Sequence, residues 1–307
     1  MKKAGLRILP WTIIALVAFF FWKALIDNWK NIDDSTFHFN WLALPGVVLL
    51  VLAVIASGLL WGRLLSGLAG RHIASGDAVR IHSASWLLKY IPGQVGSLIN
   101  KLTWAKSQGV SQKSTATSFV YENVLTTLAS LVISLPLISV LNDSVLESSS
   151  LFLPVLIIIP IAIFIYQPVF YKLLNFVFQK LGKKPFRESD FLSTGQLLKY
   201  LALYLVPRVL NAVGFVFIAS SLLPIEPSMY MVLGATYVFA SIVGLLAVFV
   251  PGGIGVREAV IVLFVGIYFP VEQVIVLAII ARLYATIADV GVFGVYLILN
   301  KGRIRQR

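Results

Sequence analysis

Long runs of hydrophobic residues recur along this chain, separated by shorter stretches that carry most of the charged residues. The runs at 44–60 and 229–250 are nearly uniformly apolar and lack the alternation of polar and apolar positions typical of barrel strands. Backbone groups inside lipid must be hydrogen-bonded within helices or closed barrels. The pattern therefore predicts an all-α polytopic membrane protein, with residues 1–307 forming a single integral membrane domain.

About eight transmembrane helices are predicted, because a bilayer core of about 30 Å needs roughly 20 apolar residues per helix. Composition agrees with this class, since 59% of the residues are hydrophobic and only 12% are charged. Residues 171–181 carry apolar side chains together with Lys172 and Lys180, which predicts a short helix in the membrane interface. The expected spans are 9–26, 41–61, 115–140, 151–170, 197–223, 229–250, 251–269 and 271–299.

The positive charges are distributed unevenly along the chain. Twenty of the 25 Lys and Arg lie in the N-terminus, in residues 63–113 and 172–199, and in the tail 301–307. Cytoplasmic loops carry an excess of Lys and Arg, so we expect a multi-pass protein of the cell inner (plasma) membrane with both termini cytoplasmic. The net charge of +12 then reflects topology and predicts contact with anionic lipids, not with nucleic acid.

A Pro-Gly interruption occurs twice, as YIPGQVG at 90–96 and as FVPGGIG at 249–255. When Pro92 is aligned with Pro251, Glu122 falls one position from the equivalent of Arg282. This correspondence predicts an internal duplication, with halves 1–170 and 197–299 joined by an interfacial linker at 171–196.

Matched interruptions in two halves indicate the binding site of a transporter, because broken helices expose backbone groups to a substrate. The alternative is that each Pro-Gly pair only marks a turn at the end of a span. Residues 83–101 are too polar to span and have basic residues on both flanks, which predicts a re-entrant segment. The charged tail instead favours a full span at 251–269, which breaks the symmetry.

Four ionisable residues stand out inside the predicted spans: Glu122, Arg208, Arg282 and Asp289. Such residues are costly in a bilayer and usually face a partner or a wet cavity. Hydroxyl residues before and after Glu122 recur every three or four positions and form a polar stripe on one helix face, which is also compatible with a helix-packing seam. Two interpretations stay open: static ion pairs, such as Glu122 with Arg208 or Arg282, or guanidinium groups that bind a phosphate.

Several kinds of chemistry find no support in the sequence. Cysteine is absent, and the three His are not at metal-ligand spacing. No Ser/His/Asp arrangement is legible and no Walker A sequence occurs, so we expect neither a metal site nor a cofactor. The only adjacent acidic pair is Asp33-Asp34, which is weak support for a membrane enzyme.

Four features together resemble a known family: KYIPGQVGSLINK at 89–101, QGVS at 108–111, the Glu122 span, and VPGGIGVREAV at 250–260. The family is the transmembrane, flippase-like domain of lysylphosphatidylglycerol synthetases, which also occurs in stand-alone membrane proteins. The resemblance covers residues 81–299 and implies about eight spans and movement of lipids between leaflets. The family's soluble aminoacyltransferase domain has no counterpart in this sequence, so only translocation carries over.

These observations predict a lipid flippase for an anionic phospholipid or a polyprenyl-phosphate-linked glycolipid. The alternatives are a membrane-embedded glycosyltransferase or other lipid-modifying enzyme, or a non-catalytic scaffold that works with cell-envelope glycosyltransferases. The predicted substrate-binding residues lie in the two interruptions, after them, or inside the spans. They are Lys89, Tyr90, Pro92, Gly93, Gly96, Asn100, Lys101, Glu122, Arg208, Asn211, Pro251, Gly252, Gly253, Gly255, Arg257, Glu258, Arg282 and Asp289.

Overall fold

The structure, a computed structural model, describes residues 40–90, 95–137, 163–164, 166–180, 191–247 and 250–304. All regular elements in these residues are helices, which confirms the predicted all-α class. The α-helices are α1 Ala43–Ala69, α2 Ser75–Leu87, α3 Val95–Ser107, α4 Gln112–Ile133, α5 Gln167–Lys180, α6 Thr194–Ser220, α7 Tyr230–Leu246, α8 Val256–Val265 and α9 Val271–Ile304. Short 3₁₀ turns lie at Leu88–Tyr90, Pro227–Met229 and Pro251–Gly253.

Five helical stretches in the described part of the chain are long and apolar enough to cross a membrane. They are Ala43–Ala69, Gln112–Ile133, Thr194–Ser220, Pro227–Leu246 and Val271–Lys301. Each overlaps a predicted span, so a protein with several membrane-crossing helices is confirmed. The predicted span 9–26 and most of the span 151–170 lie outside the described residues.

Helices α1 and α6 pack closely against each other at the centre of the bundle. A Cβ atom added at Gly46 would lie 2.7 Å from the carbonyl oxygen of Gly214, so the two backbones meet where neither residue has a side chain. Small residues permit such close approach between membrane helices, where dispersion contacts replace the hydrophobic effect. The α1–α6 pair therefore forms a rigid centre for the shorter helices.

Helices α2 and α3 contact each other and form the first hairpin, with its turn near Leu88–Tyr90. Each has 13 residues, a length of about 20 Å at 1.5 Å per residue. That is well short of the ~30 Å hydrocarbon core. The first hairpin therefore has the dimensions of the re-entrant segment that polarity predicted for residues 83–101.

Helices α7 and α8 form the second hairpin around the turn Pro251–Gly253. The predicted span at 251–269 is wrong, because α8 has only ten residues and extends about 15 Å. The other arm of this hairpin, Pro227–Leu246, is long enough to cross a membrane, so the two arms differ in length. The charged tail could not reveal this difference, because the charges outside a span do not report its length.

The order of elements is the same before and after α5. A long helix is followed by a helical hairpin and then by another long helix, as α1, α2–α3 and α4, and again as α6, α7–α8 and α9. Helix α5 confirms a helix in the predicted linker, and its exposed Phe176 lies beside Lys180. This shared order agrees with a duplication that places one hairpin in each half.

Candidate functional site

A cavity of about 170 Å³ lies where the two hairpins meet. The turn Leu88–Tyr90 contacts the turn Pro251–Gly253, and both turns contribute to the cavity wall. The ionisable residues of the wall are His82, Lys89, Lys101, Glu122, Arg208 and Arg257. Its uncharged polar residues are Ser57, Ser85, Ser97, Asn123, Thr126, Thr127, Ser130 and Ser241.

Helix α4 contributes the carboxylate of Glu122 to this wall. Thr126 and Ser130 follow at intervals of four residues and also line the cavity, so one face of α4 carries the predicted polar stripe. The hydroxyl of Ser130 donates to the carbonyl of Thr126, 2.7 Å away, which satisfies the group within the helix. The hydroxyl oxygens can still accept hydrogen bonds on the cavity side.

Glu122 is bonded to Lys101 and His82. The ammonium of Lys101 donates to one carboxylate oxygen of Glu122, and Nδ1 of His82 lies 3.0 Å from the other. Lys101 is 1% exposed, and its Nζ lies 4.4 Å from the centroid of the Trp61 ring. Glu122 thus pairs with neither Arg208 nor Arg282, the partners that the static model proposed.

His82 adds a hydrogen bond rather than a full charge to this cluster. Burial lowers the pKa of His82, and the nearby carboxylate of Glu122 opposes that shift. A neutral imidazole with its proton on Nδ1 can donate to Glu122. Its Nε2 atom is buried and has no hydrogen-bond partner among the described residues.

Lys89 and Asp289 join the first hairpin to α9. Nζ of Lys89 lies 2.7 Å from Oδ1 of Asp289, and Nε1 of Trp86 donates to the same oxygen at 2.8 Å. Burial lowers the pKa of Lys89 to about 8, although Asp289 acts in the opposite direction. The amine is therefore mostly protonated at neutral pH and forms a charged pair across the half boundary.

Arg282 and Glu258 hold the turn of the second hairpin. Nη1 of Arg282 donates to the carbonyl of Gly252 at 3.3 Å and lies 3.9 Å from Oε1 of Glu258. The other carboxylate oxygen of Glu258 accepts from the backbone N–H of Gly255, which caps the start of α8. Gly252, Gly253 and Gly255 have φ angles of 62°, 66° and 81°, a region that residues with a Cβ rarely adopt.

After each of the two turns, the short helix that follows forms an ion pair with the next long helix. In the first half the cation, Lys101, is on the short helix and the anion, Glu122, is on the long one. In the second half the anion, Glu258, is on the short helix and the cation, Arg282, is on the long one. The two ion pairs therefore join equivalent elements, but the positions of the cation and the anion are exchanged.

Arg208 and Arg257 differ from the other cations of the wall. Neither forms an ion pair with a carboxylate in the part of the chain that the structure describes. Arg208 is only 7% exposed, and its Nε atom has no hydrogen-bond partner among the described residues. The two side chains interact electrostatically as like charges, so an anion between them would be strongly favoured.

Gly244 on α7 makes room for Arg257. A Cβ atom added at Gly244 would lie 2.6 Å from Cγ and 3.1 Å from Cδ of Arg257. The same glycine is also close to the second turn, because a Cβ at Gly253 would lie 2.8 Å from Cα of Gly244. The side chain of Arg257 therefore crosses α7 at a point where only glycine fits without displacement.

The structure brings together much of the predicted site. Seven predicted residues line the cavity: Lys89, Lys101, Glu122, Arg208, Gly252, Gly253 and Arg257. Four others support it from behind: Gly255, Glu258, Arg282 and Asp289. Tyr90 and Pro251 lie in the two turns, whereas Pro92 and Gly93 are outside the described residues.

Three predicted residues do not line this cavity in the described part of the chain: Gly96, Asn100 and Asn211. Asn100 instead donates to the hydroxyl of Ser85 at 2.9 Å, within the first hairpin. Sequence reasoning also missed residues that do line it, notably His82, Trp86 and Asn123. His82 and Trp86 are four residues apart on α2, just before the turn. This spacing puts both side chains on one face of the helix, and it could have identified them as candidates from the sequence.

Comparison with known sequences adds an independent observation. Residues 6–292 match the family described as the lysylphosphatidylglycerol synthase TM region. A search of curated proteins found no match. The family match covers both Pro-Gly turns, both hairpins and all six ionisable residues of the cavity wall. The chain therefore belongs to the family of the lysylphosphatidylglycerol synthase TM region.

Proposed function

We propose that this protein moves an anionic lipid between the leaflets of a membrane, with the phosphate headgroup passing through the cavity between the hairpins. The observation that carries this proposal is the pair of cavity guanidinium groups, on Arg208 and Arg257, that have no carboxylate partner in the described part of the chain. Guanidinium groups recognise phosphate oxygens through two parallel hydrogen bonds.

The position of the cavity supports transport. It lies at the meeting point of two interrupted helices, an arrangement that transporters use for substrate sites near the bilayer midplane. Short hairpins that end inside the membrane leave polar backbone near the turns, and such backbone is tolerated where it lines a wet cavity. A lipid headgroup could enter there while its acyl chains stay outside in the bilayer.

The state of Glu122 favours binding over catalysis. This carboxylate of the cavity wall is bonded to both Lys101 and His82. A general base must be able to accept a proton from a bound substrate, and Glu122 would first have to leave its buried cation. The glycosyltransferase alternative therefore gains no support from the residues that line the cavity.

Anionic membrane lipids are the partners that this proposal requires, and the proposed location is the cell inner (plasma) membrane. With both termini on the cytoplasmic side, the first hairpin enters from the cytoplasm and the second from the opposite side. Two related hairpins that enter the membrane from opposite sides have inverted topology. Many transporters that work by alternating access are built from such inverted repeats. Each half could then expose the cavity to one leaflet.

A reconstituted system tests the proposal. Purified protein is placed in liposomes that contain a fluorescent phosphatidylglycerol, and a membrane-impermeant reductant reports how fast inner-leaflet lipid becomes accessible. We expect faster exchange than in protein-free liposomes. The change Arg257→Gln should slow exchange by about tenfold or more, because one phosphate-binding group is lost.

The control is Arg63→Gln, the same substitution at an exposed position on α1 that does not line the cavity. Exchange in this variant should match that of the unmodified protein. The proposal fails if the unmodified protein gives no more exchange than empty liposomes. It also fails if both substitutions have the same small effect.

A further inference from the structure

Among the described residues, each charge around the cavity lies within an ion pair, with the exception of the same two guanidinium groups. We infer that the headgroup bound in this cavity carries two negative charges, as in a lipid phosphomonoester or a lipid diphosphate. A lipid phosphodiester, with one negative charge, would leave one guanidinium uncompensated. This inference rests on the proposed function and narrows its substrate class.

The charge count uses the ion pairs of the described residues. Lys101 is balanced by Glu122, and Lys89 is balanced by Asp289. Behind the wall, Arg282 is balanced by Glu258. These three pairs leave the two unpaired guanidinium groups as the net charge of the site.

His82 does not change this count. Its surroundings contain the cation Lys101 on α3, the anion Glu122 on α4 and the cation Arg208 on α6. Burial disfavours the charged imidazole, as does the neighbouring ammonium of Lys101. The neutral imidazole already satisfies one oxygen of Glu122, so a proton on the second nitrogen gains no hydrogen bond from the described residues.

The burial of Arg208 shows that its charge needs a partner. A buried charge without a counter-charge is strongly unfavourable in a protein interior. Arg208 is more than nine-tenths buried, and the like charge of Arg257 acts on it unfavourably. A dianion between the two guanidinium groups would compensate both charges and relieve their repulsion.

The hydroxyl-rich side of the cavity completes the recognition of a phosphoryl group. Asn123, Thr126 and Thr127 on α4 line the same cavity as the two arginines, and Ser241 lies on α7. Their side chains can supply hydrogen bonds to phosphoryl oxygens or to an attached hydroxyl group. A headgroup that bears an ammonium would instead meet the two unpaired cations and be disfavoured.

Binding to the full chain in detergent tests the inference. The probes are dioctanoyl phosphatidic acid, a phosphomonoester, and dioctanoyl phosphatidylglycerol, a phosphodiester with the same acyl chains. Phosphomonoesters have a second pKa of about 6 and are largely dianionic at neutral pH, where Lys89 is still mostly protonated. Quenching of tryptophan fluorescence, to which Trp86 at the cavity wall contributes, reports binding.

We expect the phosphomonoester to bind at least about tenfold more tightly than the phosphodiester. Arg257→Gln should reduce this ratio to about twofold, because a single guanidinium no longer favours the second charge. Arg63→Gln should keep the ratio unchanged. Equal affinities for the two lipids in the unmodified protein would overturn the inference, as would a ratio that Arg257→Gln leaves intact.

Transport of the same two lipids separates the two proposals. If both lipids are moved at equal rates and bound equally, the flippase proposal stands and the dianion inference is wrong. If the phosphomonoester binds more tightly but neither lipid is moved, the dianion site stands and the flippase proposal is wrong. Inorganic phosphate is the third probe, and weaker binding of this ion than of the lipid supports a site that also uses the acyl chains.

Discussion

At the scale of single residues, the most consequential contact is the one that Glu122 makes with Lys101. Both side chains are buried, and the imidazole of His82 occupies the remaining oxygen of the carboxylate. Removing one partner of a buried pair leaves the other charge uncompensated, which is more damaging than removing both. This asymmetry makes the pairing testable.

Glu122→Gln should therefore lower the thermal stability of the purified protein, with a loss of about 3 to 5 kcal/mol in the free energy of unfolding. The double change Glu122→Gln with Lys101→Gln should recover much of that loss. Thermal unfolding in detergent, followed by tryptophan fluorescence, measures both. Glu226→Gln, at an exposed position, is the control and should have little effect. A double variant no more stable than the single one would contradict the pairing.

The sequence identified Glu122 and Asp289 as residues in need of partners but did not identify those partners. For Glu122 the expected partners were arginines in other spans, and for Asp289 no partner was predicted. The structure pairs both carboxylates with lysines of the first hairpin. Lys89 and Lys101 lie in the segment 83–101, which was predicted to be re-entrant, but its depth in the membrane was not predicted. The depth to which a hairpin inserts decides which charged side chains come into contact. A hydropathy profile of the sequence does not give that depth.

At the scale of elements, α7 and the second turn depend on close backbone contact. Gly244 lies under the side chain of Arg257 and next to Gly253. A methyl group at Gly244 would force Arg257 or the turn to move, since the contact involves atoms near the base of the side chain. The position of one guanidinium in the cavity is thus set by a glycine on a neighbouring helix.

Gly244→Ala should reduce lipid exchange strongly, and overpacking should cost roughly 1 to 3 kcal/mol of stability. Gly294→Ala is a matched control on α9, because a Cβ atom there would meet nothing within 4 Å. Exchange rates and unfolding temperatures of the two variants provide the comparison. Normal exchange in Gly244→Ala would show that Arg257 does not need its observed position.

The two Pro-Gly motifs predicted the locations of both breaks, but not the length of α8. Pro and Gly disrupt helices for local reasons that a sequence shows directly. The length of α8 instead depends on the contacts of the second hairpin with α9 and with the first turn. The run of apolar residues at 259–265 looks the same in sequence whether the helix crosses the bilayer or ends inside it.

At the scale of the whole molecule, the polar ends of the helices separate by charge. Arg71, Lys106 and Lys113 lie near one set of helix ends, whereas Glu226 and Glu272 lie near the other. The positive-inside rule assigns the first set to the cytoplasm. On that assignment we propose that the second hairpin opens toward the outer side, opposite to the first.

Single cysteines test this arrangement, because the natural chain has none. Gln108→Cys should react with an impermeant maleimide only after permeabilisation of the cells, and Ser228→Cys should react in intact cells. Lys301→Cys at the end of α9 should behave like Gln108→Cys. Labelling of the cysteine at position 108 in intact cells would reverse the orientation and contradict cytoplasmic termini.

The left-handed glycines of the second turn also bear on how this chain tolerates random change. Loops usually accept substitutions more readily than helices do, but Gly252, Gly253 and Gly255 each require a positive φ angle. Outward residues of α9 such as Leu283 and Val290 are more than half exposed and can exchange for other apolar residues. We therefore expect an unusual result from a saturation library selected for function. Few substitutions should survive in the second turn, whereas many apolar substitutions should survive on the outward face of α9.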